Sequence, residues 1–130
     1  MRWISRYFVV ICGVAASAMG CGQTDGRGGS HGLLERGNEL YDVHCATCHE
    51  SEVGIGPLLN PRVLASYGTA RRLLDYTRRT MPYGLPNSLN EDDYWYITAY
   101  LIVDRALADG AVLDASSSDS VRLNAGDRPE

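Results

Sequence analysis

Two cysteines and a histidine lie together in the segment Cys45-Ala46-Thr47-Cys48-His49. On one helical turn this spacing places both sulfur atoms on the same face, where they can form thioethers to the two vinyl groups on one edge of a porphyrin. The histidine that follows can place its imidazole under the iron. The spacing CxxCH is therefore typical of a covalent attachment site for a c-type haem. In a chain of 130 residues, such a haem would lie at the centre of the core.

Three other kinds of site use cysteines at this spacing. A thioredoxin-like CxxC would follow a strand within a βαβ pattern, and the sequence around Cys45 shows neither feature. A structural zinc site needs four ligands, and outside the motif only His31 and His44 remain. A disulfide alone would explain neither His49 nor the patterns that follow it.

The sequence predicts three helices that would position this motif. Apolar residues at spacings of three and four indicate a first amphipathic helix over residues 33–44 and a second over residues 69–80, which Thr69 can cap. The last helix follows Asn90, an N-cap residue before three acidic side chains that suit the positive end of the helix dipole. This helix is predicted to fade near residues 108–110.

Loops rich in proline and glycine separate these helices. Residues 50–67 contain Gly56-Pro57 and are predicted to form a loop. A second loop begins at Met81-Pro82, directly after the second helix. Because a residue before proline avoids helical geometry, Met81 is expected to be extended.

Residues 33–108 resemble the small single-haem cytochromes c of class I. The resemblance rests on the CxxCH motif, Gly56-Pro57-Leu58, Met81-Pro82 and the helix that ends in Tyr96-Ile97-Thr98-Ala99-Tyr100-Leu101. It implies an all-α cytochrome c fold, with about three to four helices wrapped around one covalently bound haem c. It also implies that the first helix crosses the last at a small residue, Gly37, against the ring of Tyr96 or Tyr100.

The resemblance also gives roles to individual residues. Cys45 and Cys48 would hold the haem, and His49 would bind the iron. The carbonyl of Pro57 would accept the second N–H of that imidazole, which fixes the orientation of the ring. Met81 would be the distal ligand.

Elimination among the remaining residues also favours Met81 as the sixth ligand. It is the only methionine outside the predicted signal sequence, while His44 is held at the attachment edge and His31 lies in a segment predicted to be mobile. The alternative is that Met81 only fills a gap in the core, which would leave the iron five-coordinate or bound to water. Apolar cover over the haem is expected from Leu58, Leu59, Leu73, Leu74, Tyr83 and Leu85.

Such a site would carry single electrons rather than catalyse a reaction on a bound molecule. Imidazole and thioether ligands favour ferrous iron, and two filled axial positions leave no open site for a substrate. We also find no acid–base pair or nucleophile, so no enzymatic activity is expected. The expected partners are redox proteins, and a formal net charge of -4 without a basic stripe gives no support for nucleic-acid binding. Two alternatives stay open. The first is a cytochrome subunit of a larger periplasmic dehydrogenase or oxidase. The second is a haem-based gas sensor with a labile sixth ligand.

The start of the chain indicates export. Arg2 and Arg6 precede an apolar run, so residues 1–20 are interpreted as a secretory signal that directs the protein to the periplasmic side of a membrane. The segment Ala18-Met19-Gly20-Cys21 resembles a bacterial lipoprotein cleavage site, in which Cys21 carries a lipid anchor. The alternative is ordinary cleavage that leaves a soluble periplasmic protein.

Two further segments are predicted to lie outside the folded domain. Residues 21–32 are rich in glycine and are expected to form a flexible tether. Residues 109–130 are rich in Ser, Asp and Gly and are expected to form an extended or disordered tail. Their scattered apolar residues, Leu113, Val121 and Leu123, could lie over the domain.

Overall fold

The computed structural model describes residues 26–51, 53–108 and 116–126. Over these ranges the chain is mostly helical, and the β-structure within them is one isolated bridge between Thr69 and Arg122. The helices are α1 (Gly26–Tyr41), a π-helical turn (Asp42–Ala46), α2 (Thr47–His49), α3 (Pro61–Ala65), α4 (Ala70–Thr80) and α5 (Glu91–Asp104). The predicted all-α fold is confirmed. None of the helices in the described ranges is long and apolar enough to cross a membrane.

Helices α1 and α5 cross at Gly37, as the sequence predicts. A Cβ atom at this position would lie 2.7 Å from Cβ of Tyr100 and still closer to the carbonyl oxygen of Tyr96. The two backbones therefore approach each other too closely for any side chain at Gly37. The partner surface is the backbone of Tyr96 and the base of the Tyr100 side chain, where the sequence indicated an aromatic ring.

Helix α4 begins where the sequence places it, and α5 ends earlier. The Thr69 side chain accepts a hydrogen bond from the N–H of Arg72, which is the predicted cap. Helix α5 ends at Asp104 rather than near residues 108–110 because Ala106 adopts a positive φ of 47°. That turn buries Leu107, which is 1% exposed.

The short helix α3 lies in a region predicted to be loop throughout. Asn60 caps it, with its side-chain oxygen 3.0 Å from the N–H of Val63, and Pro61 occupies the first helical turn. An asparagine cap followed by proline is a helix-start signal that the sequence does contain. The helix buries Leu64, which is 1% exposed.

Helix α1 starts earlier than predicted, because residues 26–32 are helical where the sequence indicated a tether. Once a helix is nucleated, each added residue contributes one further backbone hydrogen bond, so a helix can continue into polar residues that stay exposed to solvent. Residues 30–32 are indeed exposed. The predicted signal sequence and Cys21 lie outside the described residues.

Part of the C-terminal tail, residues 116–126, docks on the domain, where the sequence left open an extended or a disordered segment whose apolar residues could lie over the domain. Val121 and Leu123 are only 7% and 5% exposed and belong to the hydrophobic core. Their spacing of two residues places both side chains on the same side of an extended segment, so both can face the core. Leu113 lies outside the described residues.

The docked tail also caps the start of α4. The first N–H groups of a helix have no partner within the helix itself. Here Ala70 N–H donates to the carbonyl of Val121 at 3.0 Å, and Arg71 N–H donates to the carbonyl of Ser118 at 3.1 Å. Together with the Thr69 side chain, the tail thus satisfies the first donors of α4.

Candidate functional site

The CxxCH motif lies where α1 widens into the π-helical turn and narrows again into α2. Such π-helical turns are rare and often occur at functional sites. No sequence pattern predicted this turn, which carries Cys45 and leads directly to Cys48 and His49. Both cysteines are partly buried free thiols, and His49 is 7% exposed. Burial, and secondly the nearby Cys48, raise the pKa of the Cys45 thiol to about 11.

A hydrogen bond to the backbone fixes the ring of His49. Its Nδ1 atom lies 2.7 Å from the carbonyl oxygen of Pro57, which is the contact that the family resemblance implies. A carbonyl oxygen can only accept, so Nδ1 carries the proton in this contact. In the neutral imidazole, Nε2 therefore keeps the lone pair and is the nitrogen available to a metal.

Two glycines bring the following loop against the motif. A Cβ atom at Gly56 would lie 2.7 Å from Cε1 and 2.8 Å from Nδ1 of His49. A Cβ atom at Gly54 would lie 2.8 Å from the carbonyl carbon of Cys48. Gly54 falls within the predicted loop over residues 50–67, and Gly56 is part of the Gly56-Pro57-Leu58 motif, but no close approach was predicted at either residue. Their place between the CxxCH motif and Pro57 marks such an approach of the backbone.

The motif forms one wall of an open cavity of about 490 Å³. This volume lies within the range of about 300–1,000 Å³ that is usual for ligand pockets. The lining residues are His44, Cys45, Cys48, His49, Ile55, Gly56, Pro57, Met81, Pro82 and Tyr83. A smaller cavity of about 90 Å³ shares Cys45, His49, Pro57 and Met81 with the first. The predicted site residues Cys45, Cys48, His49, Pro57 and Met81 are thus brought together, while Cys21 lies outside the described part of the chain.

Met81 reaches this cavity from the start of the loop that follows α4. Its backbone is extended, with φ -124° and ψ 152°, as the following proline predicts. The Met81 N–H donates to the carbonyl of Thr77 at 2.8 Å. The Met81 carbonyl accepts a hydrogen bond of 2.9 Å from the hydroxyl of Tyr94 on α5.

The apolar wall of the site differs in part from the prediction. Leu59 and Leu73 line the inner cavity as expected. Leu58 and Leu85 are instead 53% and 67% exposed, and Tyr83 is 80% exposed although it borders the larger cavity. Leu59 thus faces the inner cavity, whereas the adjacent Leu58 is exposed. Further inner wall comes from residues that the sequence analysis did not assign to this role, including Tyr41, Leu64, Tyr67, Ile97 and Leu101.

A polar cluster ties the motif to the end of α5. The hydroxyl of Tyr41 donates to Glu50 Oε1 at 2.5 Å, and Arg105 forms an ion pair with the same oxygen. Burial, and secondly the Glu50 carboxylate, raise the pKa of the Tyr41 hydroxyl. Because Glu50 follows His49 directly, this cluster anchors the motif to the end of α5. No sequence pattern had connected these three residues.

Comparison with known families agrees with this site. The family model of cytochrome C oxidase, cbb3-type, subunit III matches residues 32–101, which is more than half of the chain and includes all the cavity residues. The chain belongs to this family of c-type cytochromes. Membership indicates a haem-based role in electron transfer, with haem c as the cofactor and other redox proteins as partners. No curated protein and no solved structure matches the chain.

The residues around the cavity fit a c-type haem. Two free thiols, an imidazole with Nε2 available and a thioether all lie on the same cavity. Imidazole and thioether are the axial donors typical of electron-carrying cytochromes c. The inner cavity is bounded mainly by apolar and aromatic side chains, which suit the face of a porphyrin.

Proposed function

We propose that this protein carries single electrons through one haem c, attached covalently to Cys45 and Cys48 and ligated by His49 and Met81. The observation that supports this most strongly is the placement of His49 and Met81 on one cavity, with Nδ1 of His49 already engaged by Pro57. A bound haem supplies the one-electron chemistry of its iron.

The side chains of this chain prepare the site for that role. The Pro57 carbonyl orients His49 and makes its imidazole a stronger donor. The Met81 thioether favours the ferrous form and raises the reduction potential. Apolar neighbours such as Leu59, Leu73 and Ile97 exclude water from the inner wall. Since both axial ligands come from the protein, we expect no turnover of a bound substrate.

The proposed setting is the periplasmic side of a membrane. It rests on the signal-like residues 1–20, and the lipoprotein-like segment before Cys21 supports a lipid anchor there. Replacement of Cys21 by Ser should then release the protein from membranes into the soluble fraction. A wild-type protein that is already soluble would contradict the anchor.

A second candidate is that the chain is one subunit of a larger oxidase or dehydrogenase. The description of the matching family, which names an oxidase subunit, favours this candidate. Purification from native membranes distinguishes the two. Co-elution with a catalytic subunit would support the subunit, and an isolated cytochrome would support the free carrier.

Optical spectroscopy tests the proposed site directly. The full chain is produced in a host that attaches haem c, and the oxidised protein is examined for the weak long-wavelength band of methionine sulfur on ferric iron. We expect this band, together with poor binding of carbon monoxide by the reduced protein. Covalent haem without the band, and with fast binding of carbon monoxide, would contradict the carrier and favour a gas sensor.

A further inference from the structure

Tyr94 on the first turn of α5 connects both ends of the loop that contains Met81. Its side chain is buried, at 1% exposure. Its hydroxyl donates to the Met81 carbonyl at 2.9 Å and accepts from the N–H of Leu89 at 3.4 Å. A phenol hydroxyl can donate one hydrogen bond and can also accept one. The Tyr94 hydroxyl does both, and its two partners are backbone groups of the same loop.

We call residues 81–90, the loop that follows α4, the distal loop. Apart from the contacts of Tyr94, side chains at the protein surface hold most of this loop in place. Arg78 bonds the side chain of Asn87 at 3.1 Å and that of Glu91 at 3.1 Å, and its carbonyl accepts the N–H of Asn87 at 3.0 Å. Arg78 and Glu91 are 45% and 80% exposed, and exposed ion pairs contribute little. Tyr94 is thus the buried side chain that fixes the backbone of Met81.

We propose that Tyr94 is a positioning residue that holds Met81 in place for the iron. The inference rests on the proposed function, because it assumes that Met81 is the distal ligand. The hydrogen bond forms only when the Met81 backbone occupies its observed place. It therefore favours the state in which the thioether faces the cavity over any state in which the distal loop has moved away.

The position of Tyr94 in the fold suits this role. Its ring belongs to α5, which is packed through its buried residues against the core, whereas Tyr83 and Leu85 of the distal loop are largely exposed. The hydrogen bond is part-buried, and the buried Tyr94 side chain shields one side of it from water, which strengthens it. The rigid helix can thus control a loop that has little packing of its own.

Replacement of Tyr94 by Phe tests the inference in the haem-loaded full chain. This variant keeps the ring and removes only the hydroxyl. Imidazole competes with Met81 for ferric iron, so a weaker hold on Met81 appears as tighter imidazole binding. We expect the affinity for imidazole to rise about fivefold, which corresponds to the net contribution of one hydrogen bond. The methionine–iron band should become weaker or more easily lost on warming.

Thr98→Val is the matched control. Thr98 is also fully buried on α5, and its hydroxyl donates to the Tyr94 carbonyl at 2.8 Å, so the variant loses a buried hydrogen bond without touching Met81. Tighter imidazole binding in Tyr94→Phe alone would support the positioning role. An equal change in both variants, or none in Tyr94→Phe, would overturn it.

The wild-type spectrum separates this inference from the proposed function. A wild-type protein without the methionine–iron band would overturn the ligand assignment of Met81 and the inference with it. A wild-type protein that shows the band, beside a Tyr94→Phe variant with unchanged band and imidazole affinity, would overturn the inference alone.

Discussion

The two sides of the cavity are held in different ways. On the His49 side, the imidazole is nearly buried, its Nδ1 is bonded to Pro57, and Gly56 leaves no room for a Cβ atom beside the ring. On the other side, Met81, the proposed distal ligand, begins the distal loop, whose Tyr83 is 80% exposed. The His49 side, which we call the proximal side, is rigid because several contacts hold the same imidazole ring. The Met81 side, which we call the distal side, depends on a few contacts and on the buried hydroxyl of Tyr94. The distal side is therefore the one that variants should loosen most easily.

The largest effect is expected from removal of both thiols. Cys45→Ala combined with Cys48→Ala should abolish covalent haem, and the domain should lose most of its helix because the haem would form the centre of its core. Haem staining after denaturing electrophoresis and circular dichroism measure the two effects. Cys21→Ser, which alters a cysteine outside the site, should keep its haem. A well-folded double variant would show that the proximal side does not need the cofactor.

Removal of Met81, the proposed distal ligand, should affect function more than folding. Met81→Ala should lower the reduction potential, because the thioether raises it, and should open the iron to carbon monoxide. Redox titration and gas binding provide the measurements. Leu85→Ala on the same loop, which changes a residue that is 67% exposed, is the control and should change neither property. An unchanged spectrum in Met81→Ala would identify another sixth ligand.

A larger residue at Gly56 should destabilise the protein while both proposed ligands, His49 and Met81, are kept. Gly56→Ala places a methyl group 2.7 Å from the His49 ring, so the ring or the loop must shift, at a cost of about 1–3 kcal/mol. Chemical denaturation of the haem protein measures this loss. Gly126→Ala, where a Cβ atom meets nothing within 4 Å, should be neutral. Equal stability of the two variants would contradict the tight proximal packing.

Among these variants, a substitution in the docked tail is expected to change the haem site least. Leu123→Ala should cost about 2–3 kcal/mol of unfolding free energy, because the side chain is 5% exposed and leaves a cavity. The methionine–iron band should stay unchanged, since Leu123 lines neither of the two cavities that His49 and Met81 border. Thermal unfolding and the oxidised spectrum test both parts. A weakened band would show that the tail supports the distal loop through α4.

Several features of the fold could be predicted because their signals are local. Thr69 marks the start of α4 through the chemistry of its own side chain, and Gly37 marks a helix crossing because no other residue allows the approach. Helix α5 begins after Asn90 as predicted, but the Asn90 side chain makes no capping hydrogen bond and donates to Asp93 instead. The signal for α3 in Asn60-Pro61 was also local, but the short glycine- and proline-rich stretch around it favoured a loop. The sequence left open whether the tail is extended or disordered, because apolar residues such as Val121 and Leu123 in a polar stretch indicate packing only when a partner surface is known.

The sequence by itself determined the chemistry of this protein. The spacing of Cys45, Cys48 and His49 and the methionine before a proline are properties of adjacent residues, and they predict a c-type haem site without knowledge of the fold. Only the tertiary structure decided which distant groups control these residues. The packing of α5 against the rest of the chain lets Tyr94 form a hydrogen bond with Met81 and lets Arg105 form an ion pair with Glu50. Contacts of this kind arise from the packing of whole helices, which a local pattern does not specify.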